Sequence, residues 1–286
     1  MMLFTEAQER FKEYLIFREK SKETVKGYMK DLRKLNRFLE DLNNGPVYLD
    51  DIEMEHIEKY MLYLKEIGLK PRSRNRYLFS VRSFLNYAVK KKWVDYNVAS
   101  EIESVSVLQE KKVALMPEEI QQLFEAIEHP IIEFAVILLA YTGLRIQEAH
   151  NLRLEDIDFE RNRILANGKG KKQRYIPIAN ALKPYLEDYL ANVRGPVDSE
   201  YVLATKKTGR LSPGFVNYEL RKAVHKLGWN KTVTCHTLRR SFATNLLRKG
   251  VNIFTISKLL GHASVKTTMV YLQLNEDELQ AAVNKL

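Results

Sequence analysis

The sequence predicts a mainly α-helical protein with a small three-stranded antiparallel sheet, arranged as a four-helix N-terminal domain followed by a larger mixed α/β domain. Three observations predict it. Apolar residues recur at three- and four-residue spacing through the first hundred positions and again beyond Met116. That period gives way to short alternating runs in one place, DIDFERNRILANGKGKKQRYIPI (156–178). The stretch EIESVSVLQEKKVA (101–114) holds no sustained period at all.

Each element follows from its local signals. Residues 5–18 open with TEAQ, a capping box that makes Thr5 the expected N-cap, and Phe11, Tyr14, Leu15 and Phe17 follow at helical spacing. A second helix spans about 21–42, with Val25, Tyr28, Leu32, Leu35 and Leu39 on one stripe, and NNGP (43–46) stops it. A third follows DDIEMEHIEKYMLYLKEIG and ends at Gly68. A fourth starts near Ser73 and carries Tyr77, Val81, Phe84, Leu85 and Ala88 into KKK (90–92), cations that suit a helix C-terminus. The first domain is therefore placed at 1–104, a linker at 105–114 and the second domain at 115–286. Pro117 suits the first turn of the next helix. Helices are expected at about 119–128, 131–141 and 146–152. Three strands follow, with turns at 160–162 and 167–170, then helices at about 180–193, 213–227, 237–248, 252–260, 265–271 and 275–285.

Composition narrows the function classes. Of 286 residues, 45% are hydrophobic and 29% charged, values that suit a soluble globular chain and exclude disorder. The longest apolar run, IIEFAVILLAY (131–141), is broken by Glu133 and too short to span a bilayer, so no membrane association is expected. The N-terminus lacks the pattern of a secretory signal, and a single cysteine, Cys235, allows no intramolecular disulfide; both point to a cytoplasmic location. The net charge of +10 and pI near 9.4 are spread evenly over the chain. Two runs concentrate cations: KPRSRNR (70–76), with Lys70, Arg72, Arg74 and Arg76, and GKGKKQR (168–174), with Lys169, Lys171 and Lys172. Each alone reads as a solvated loop. Two such loops on a basic chain favour a polyanionic partner, of which nucleic acid is the commonest.

The chemistry gathers in HTLRRSFATNLLRKGVNIFTISKLLGHASVKTTMVYLQL (236–274), which holds two of the chain's six histidines. Tyr271 lies nine residues past the second. A helical tyrosine is usually packing. As a nucleophile its phenol, with a free pKa of about 10, needs a base nearby or strong stabilisation of the charge it creates. His236 and His262 offer base or hydrogen-bond roles, and Arg145 and Arg239 offer forks that match phosphate oxygens. Lys169 sits in a glycine-flanked turn between two strands. Each has a plainer reading: a structural histidine, an arginine at a helix end, a hairpin glycine pair, or an intrahelical Arg145–Glu148 ion pair.

Four stretches together resemble the tyrosine recombinase family, the λ-integrase and Xer-type enzymes. YTGLRIQEAHNL (141–152) is similar to the family's first arginine box, GKGKKQRYIPI (168–178) to its β-hairpin lysine box, HTLRRSFAT (236–244) to its H-x-x-R box, and LLGHASVKTTMVY (259–271) to its L-G-H…T-x-x-Y box. The four helices of the first domain also resemble the family's SAM-like core-binding domain.

The resemblance implies roles. Tyr271 would attack a DNA phosphodiester to form a 3′-phosphotyrosine. Arg145 and Arg239 would hold the non-bridging oxygens, and Lys169 would protonate the departing 5′-oxygen. His236 would take the tyrosine proton or bond the phosphate, His262 would donate a further hydrogen bond, and Glu148 would orient its neighbours. Lys70, Arg72, Arg74, Arg76, Lys171 and Lys172 would grip double-stranded DNA at a specific recombination site. Arg240 stands where many members carry histidine, with little expected consequence. No metal or other cofactor is called for: no carboxylate cluster suits a two-metal nuclease and no G-x-x-x-x-G-K-[ST] is present. The chain's length favours a minimal Xer type acting at a dif-like site, with a tetramer on synapsed DNA. A mobile-element integrase, a type IB topoisomerase and a DNA-binding module with a dead site remain alternatives. The tail LQLNEDELQAAVNKL would dock either on its own domain or on the next protomer.

Overall fold

A computed structural model of the chain describes residues 1–107, 113–168, 172–262, 264–269 and Asn284. The chain divides into two compact units, Met1–Glu110 and Lys111–Leu286.

The first unit is built from α1 (Phe4–Phe17), α2 (Lys22–Asn43), α3 (Met54–Glu66) and α4 (Pro71–Lys90). Thr5 is not the cap of α1. The helix begins at Phe4, two residues earlier than a Thr5 cap would give, because Phe4 is fully buried and its N–H donates to the Val47 carbonyl at 2.9 Å, while Leu3 bridges Tyr48. Tertiary burial thus overrides the local capping signal. Ser21 does cap α2, its hydroxyl accepting from the Thr24 N–H at 3.3 Å, and Asn44 closes that helix in a left-handed conformation. The helix α4 starts at Pro71, not near Ser73, since proline supplies a ready φ for the first turn. KPRSRNR is therefore the opening of a helix, not a solvated loop. Around the buried Phe11 ring the aromatic side chains of Phe84, Tyr87 and Tyr28 pack at centroid distances of 5.4–5.7 Å.

In the second unit α5 (Pro117–Ala126) precedes α6 (Pro130–Thr142), which is apolar on nearly every face and accordingly central. It packs against α5, α7 (Ile146–His150), α8 (Lys183–Asp188), α9 (Pro213–Lys226) and α10 (Cys235–Arg248). The sheet has strand order β1 (Ile157–Asp158), β2 (Arg163–Asn167), β3 (Gln173–Pro177), antiparallel throughout, with Ile164 opposite Ile176 and Ala166 opposite Arg174. The helix expected at 180–193 is α8 followed by a wider π turn over Tyr189–Val193. Thr234 caps α10, its hydroxyl accepting from the Thr237 N–H at 3.3 Å, so that helix starts at Cys235 and not at residue 237. Two short helices follow, α11 (Ile253–Leu260) and α12 (Val265–Met269). The expected tail helix at 275–285 lies, apart from Asn284, outside the described residues. Among the described residues no helix is long and apolar enough to cross a membrane.

Candidate active site

The site is assembled at the ends of helices. Gly143 terminates α6 at φ +61, and an added Cβ there would fall 2.5 Å from the Phe242 ring of α10. Only glycine meets both demands. The chain then turns through Leu144, and Arg145 flanks the start of α7. Its guanidinium stays partly open to solvent, with 37% of the side chain exposed.

Arg239, on α10, is nearly buried at 4% exposure. Its Nη1 donates to the Gly143 carbonyl at 2.6 Å and its Nη2 to the Leu260 carbonyl at 2.7 Å. It thus binds the carbonyl ends of α6 and α11, where helix dipoles favour a cation.

Glu148 is the centre of the charge arrangement. Its side chain is 4% exposed. Oε2 accepts the Arg145 backbone N–H at 2.8 Å, and Oε1 accepts Arg145 Nη1 at 2.7 Å. Arg174, on β3, places both terminal nitrogens on the two carboxylate oxygens, at 3.0 and 2.9 Å. Arg239 Nη1 approaches to 3.9 Å. Burial pushes the carboxyl up, but the hydrogen bonds from Arg174 and Arg145 outweigh it and hold Glu148 down at about 2. Among the described residues one carboxylate therefore faces three arginines.

The histidines lie in this positive field. His262 follows α11, and its Nδ1 is 2.7 Å from the buried Thr268 hydroxyl. Burial and then Arg239, Arg145 and Arg174 depress it to about 4. His236, near the start of α10, presents an exposed edge; partial burial of its ring, then Arg239, Arg240 and Arg145, hold it below its ordinary range. Both are neutral at neutral pH, so each has one ring nitrogen able to accept and one able to donate.

The structure thus brings Arg145, Glu148, His236, Arg239 and His262 together. Lys169, Lys171 and Tyr271 lie outside the described residues. Lys172 is exposed at the hairpin, its carbonyl accepting the Gly168 N–H at 2.8 Å. The cations of 70–76 belong to the other unit and differ among themselves. Lys70 and Arg72 are exposed and Arg74 is half-buried. Arg76 is engaged within the fold: Nη1 sits 2.6 Å from the buried Asp31 carboxylate, and its guanidinium lies 4.6 Å over the Tyr77 ring. Arg240 also has structural work, since Nη1 donates to the Val113 carbonyl at 2.8 Å.

Sequence reasoning missed Arg174, which it grouped with a solvated basic run. Strand alternation carried the signal: Arg174 shares a face with Ile176, which is buried. It also missed why Gly261 precedes His262. Gly261 has φ +63, and a Cβ there would lie 2.9 Å from Arg174 Cδ and 3.0 Å from its Nη1.

The phage integrase family profile matches residues 114–278, and that of the phage integrase N-terminal SAM-like domain matches residues 9–92. A tyrosine recombinase of Pseudothermotoga lettingae is 34% identical over 281 residues, covering 96% of each chain. The crystal structure of XerA recombinase aligns at 28% identity with a TM-score of 0.55, covering 98% of both chains. A λ integrase fragment, crystallised as a dimer bound to a core site, shares the fold with a TM-score of 0.80 at 19% identity, covering 94% of this chain and 95% of that one.

Proposed function

The chain belongs to the phage integrase family, the tyrosine recombinases, enzymes that cleave and rejoin DNA, and we propose that it is a site-specific recombinase of Xer type that works through a 3′-phosphotyrosine intermediate. One observation carries this reading: three arginines share a single buried carboxylate. A phosphodiester bears one negative charge and its pentavalent transition state two. Arginines fixed around one carboxylate before the reaction begins offset the charge that develops.

In this reading the Tyr271 oxygen attacks phosphorus and the bond to the 5′-oxygen breaks. The tyrosine proton passes to His236, neutral and therefore able to accept it. Lys169 delivers a proton to the leaving 5′-oxygen. Arg145 and Arg239 hold the non-bridging oxygens, and His262, oriented by Thr268, donates a hydrogen bond. Attack by a 5′-hydroxyl on the phosphotyrosine reverses the sequence and rejoins the strand without nucleotide hydrolysis. Residues 1–104 grip the duplex through Lys70 and Arg72, assisted by Lys171 and Lys172 of the hairpin, and a linker at 105–114 joins them to a catalytic domain at 115–286. The substrate is a dif-like chromosomal site, and the working assembly is a tetramer on two synapsed duplexes. The likeness to XerA recombinase over 98% of both chains supports the Xer type.

The test uses a nicked suicide duplex and a two-site plasmid, both in excess chelator. The wild-type chain should form a covalent adduct and resolve the plasmid into two circles, and Tyr271→Phe should bind DNA yet form no adduct. Relaxation of supercoils without resolution would make the chain a type IB topoisomerase-like enzyme. An undiminished adduct in Tyr271→Phe would remove that residue from its role.

A further inference from the structure

We propose that Arg174 is a positioning residue that sets the orientation of Arg145 through Glu148 and ties the β2–β3 hairpin to the Gly261–His262 segment. The proposal rests on the recombinase reading above and concerns how its phosphate site is held in shape.

Three contacts from one planar guanidinium carry it. Two nitrogens bond the two Glu148 oxygens, at 3.0 and 2.9 Å, and Nε donates to the Leu259 carbonyl at 2.6 Å. A guanidinium cannot bend between its nitrogens, so these bonds fix the plane of the Glu148 carboxylate relative to α11. The remaining lone pairs of Glu148 then accept Arg145 twice, from its backbone N–H and its Nη1. Arg145 Nη2 in turn reaches the Gly261 carbonyl at 3.5 Å. The contacts close a ring: Arg174 to Glu148, to Arg145, to Gly261, and back through the chain to Leu259 and Arg174. Gly261 is part of the same device, because a side chain there would collide with Arg174. Arg174 itself keeps 12% of its side chain exposed, so it supports the site from behind while Arg145 faces outward. Lysine cannot replace it. A single ammonium supplies charge but cannot span two carboxylate oxygens and a carbonyl in one plane.

Single-turnover cleavage of a suicide duplex, DNA affinity and thermal unfolding separate this from other roles. Arg174→Lys should cleave about 100-fold more slowly, the cost typical of misplacing a reacting group by about 1 Å. Its DNA affinity and melting temperature should stay near wild type. A wild-type cleavage rate in Arg174→Lys, or a fall in DNA affinity that accounts for the whole loss, overturns the proposal. Should Arg174→Lys fail to fold, Arg174→Gln with Glu148→Gln removes both partners of this pair together, and Arg145 and Arg239 lose their carboxylate equally in the double variant and in Glu148→Gln alone. That double variant should cleave no more slowly than Glu148→Gln alone, because both changes break one ring of contacts. Losses that multiply would show that Arg174 does not act through Glu148. The wild-type chain in the same assay reports on the recombinase reading itself: no adduct there overturns that reading, and this inference with it.

Discussion

In each unit of the molecule a buried carboxylate meets arginine side chains, and the two clusters are built differently. In the first unit Asp31, 1% exposed, faces one arginine: Arg76 at 2.6 Å, with the Ser80 hydroxyl at 2.8 Å. In the second unit Glu148 faces three. The first cluster is neutral, and its arginine is spent on joining α2 to α4. The second, among the described residues, sets three arginines around one carboxylate, beside two neutral histidines. The difference shows how the same two residue types make a structural tie in one place and an anion site in another. What decides between them is the ratio of charges and how rigidly the arginines are held.

The largest expected effect comes from removing each carboxylate in turn. Glu148→Gln should cost about 3–5 kcal/mol, because arginines gathered in a nearly dry site lose their counter-charge. Asp31→Asn should cost only about 1–3 kcal/mol, since Arg76 has 49% of its side chain exposed and can rehydrate. Urea denaturation of the two variants measures both. Equal losses would show that the two carboxylates are held alike.

Acidification should weaken the second unit next. His262 is held near 4 against an ordinary 6.5, by burial first and the surrounding arginines second. The unfolded chain therefore binds this proton more readily than the folded one. Stability is complete above about 6.5 and declines as the pH falls toward 4. Glu148, held near 2 against an ordinary 4.5, adds a second loss below about 4.5. The melting temperature of the second unit should fall between pH 7 and pH 5. A flat profile there would mean that the fold does not hold His262 below its ordinary range.

The smallest effect separates cations that look alike in the sequence. Arg72→Ala should flatten the dependence of DNA affinity on salt by up to about 0.9 in log–log slope, as expected for one lost phosphate contact. Arg76→Ala should leave that slope in place and lower stability instead, because it strands Asp31. A flattened slope in Arg76→Ala would show that this arginine reaches DNA in spite of its internal partner.

Much of the fold was legible before any coordinates. Helical spacing around Leu32, Leu35 and Leu39, or around Phe84 and Leu85, marks faces that are indeed buried. The switch to alternation in 156–178 marks the three strands. Where local signals misled, tertiary contacts had outbid them. Thr5 carries the cap pattern, but the burial of Phe4 starts the helix sooner. KPRSRNR is a different case: it looks like a loop, but a local feature, the fixed φ of Pro71, opens a helix within it. At the site, Arg145, Glu148, His236, Arg239 and His262 were all singled out from their motifs, and the structure gathers them. Arg174 was not, because its motif offered several cations, and the strand alternation that sets it on the face of Ile176 names no partner for it.

The sequence by itself determined the order of helices and strands and the four motifs that name the family, because period and spacing are properties of neighbouring residues. Only the tertiary structure decided which cations are free to meet a partner and which are committed to the fold. Arg76 meets Asp31 across 45 positions of chain, Arg174 meets Glu148 across 26, and Arg174 meets Leu259 across 85. Charge is written residue by residue, but its neutralisation depends on distances of a few ångströms that no local pattern encodes.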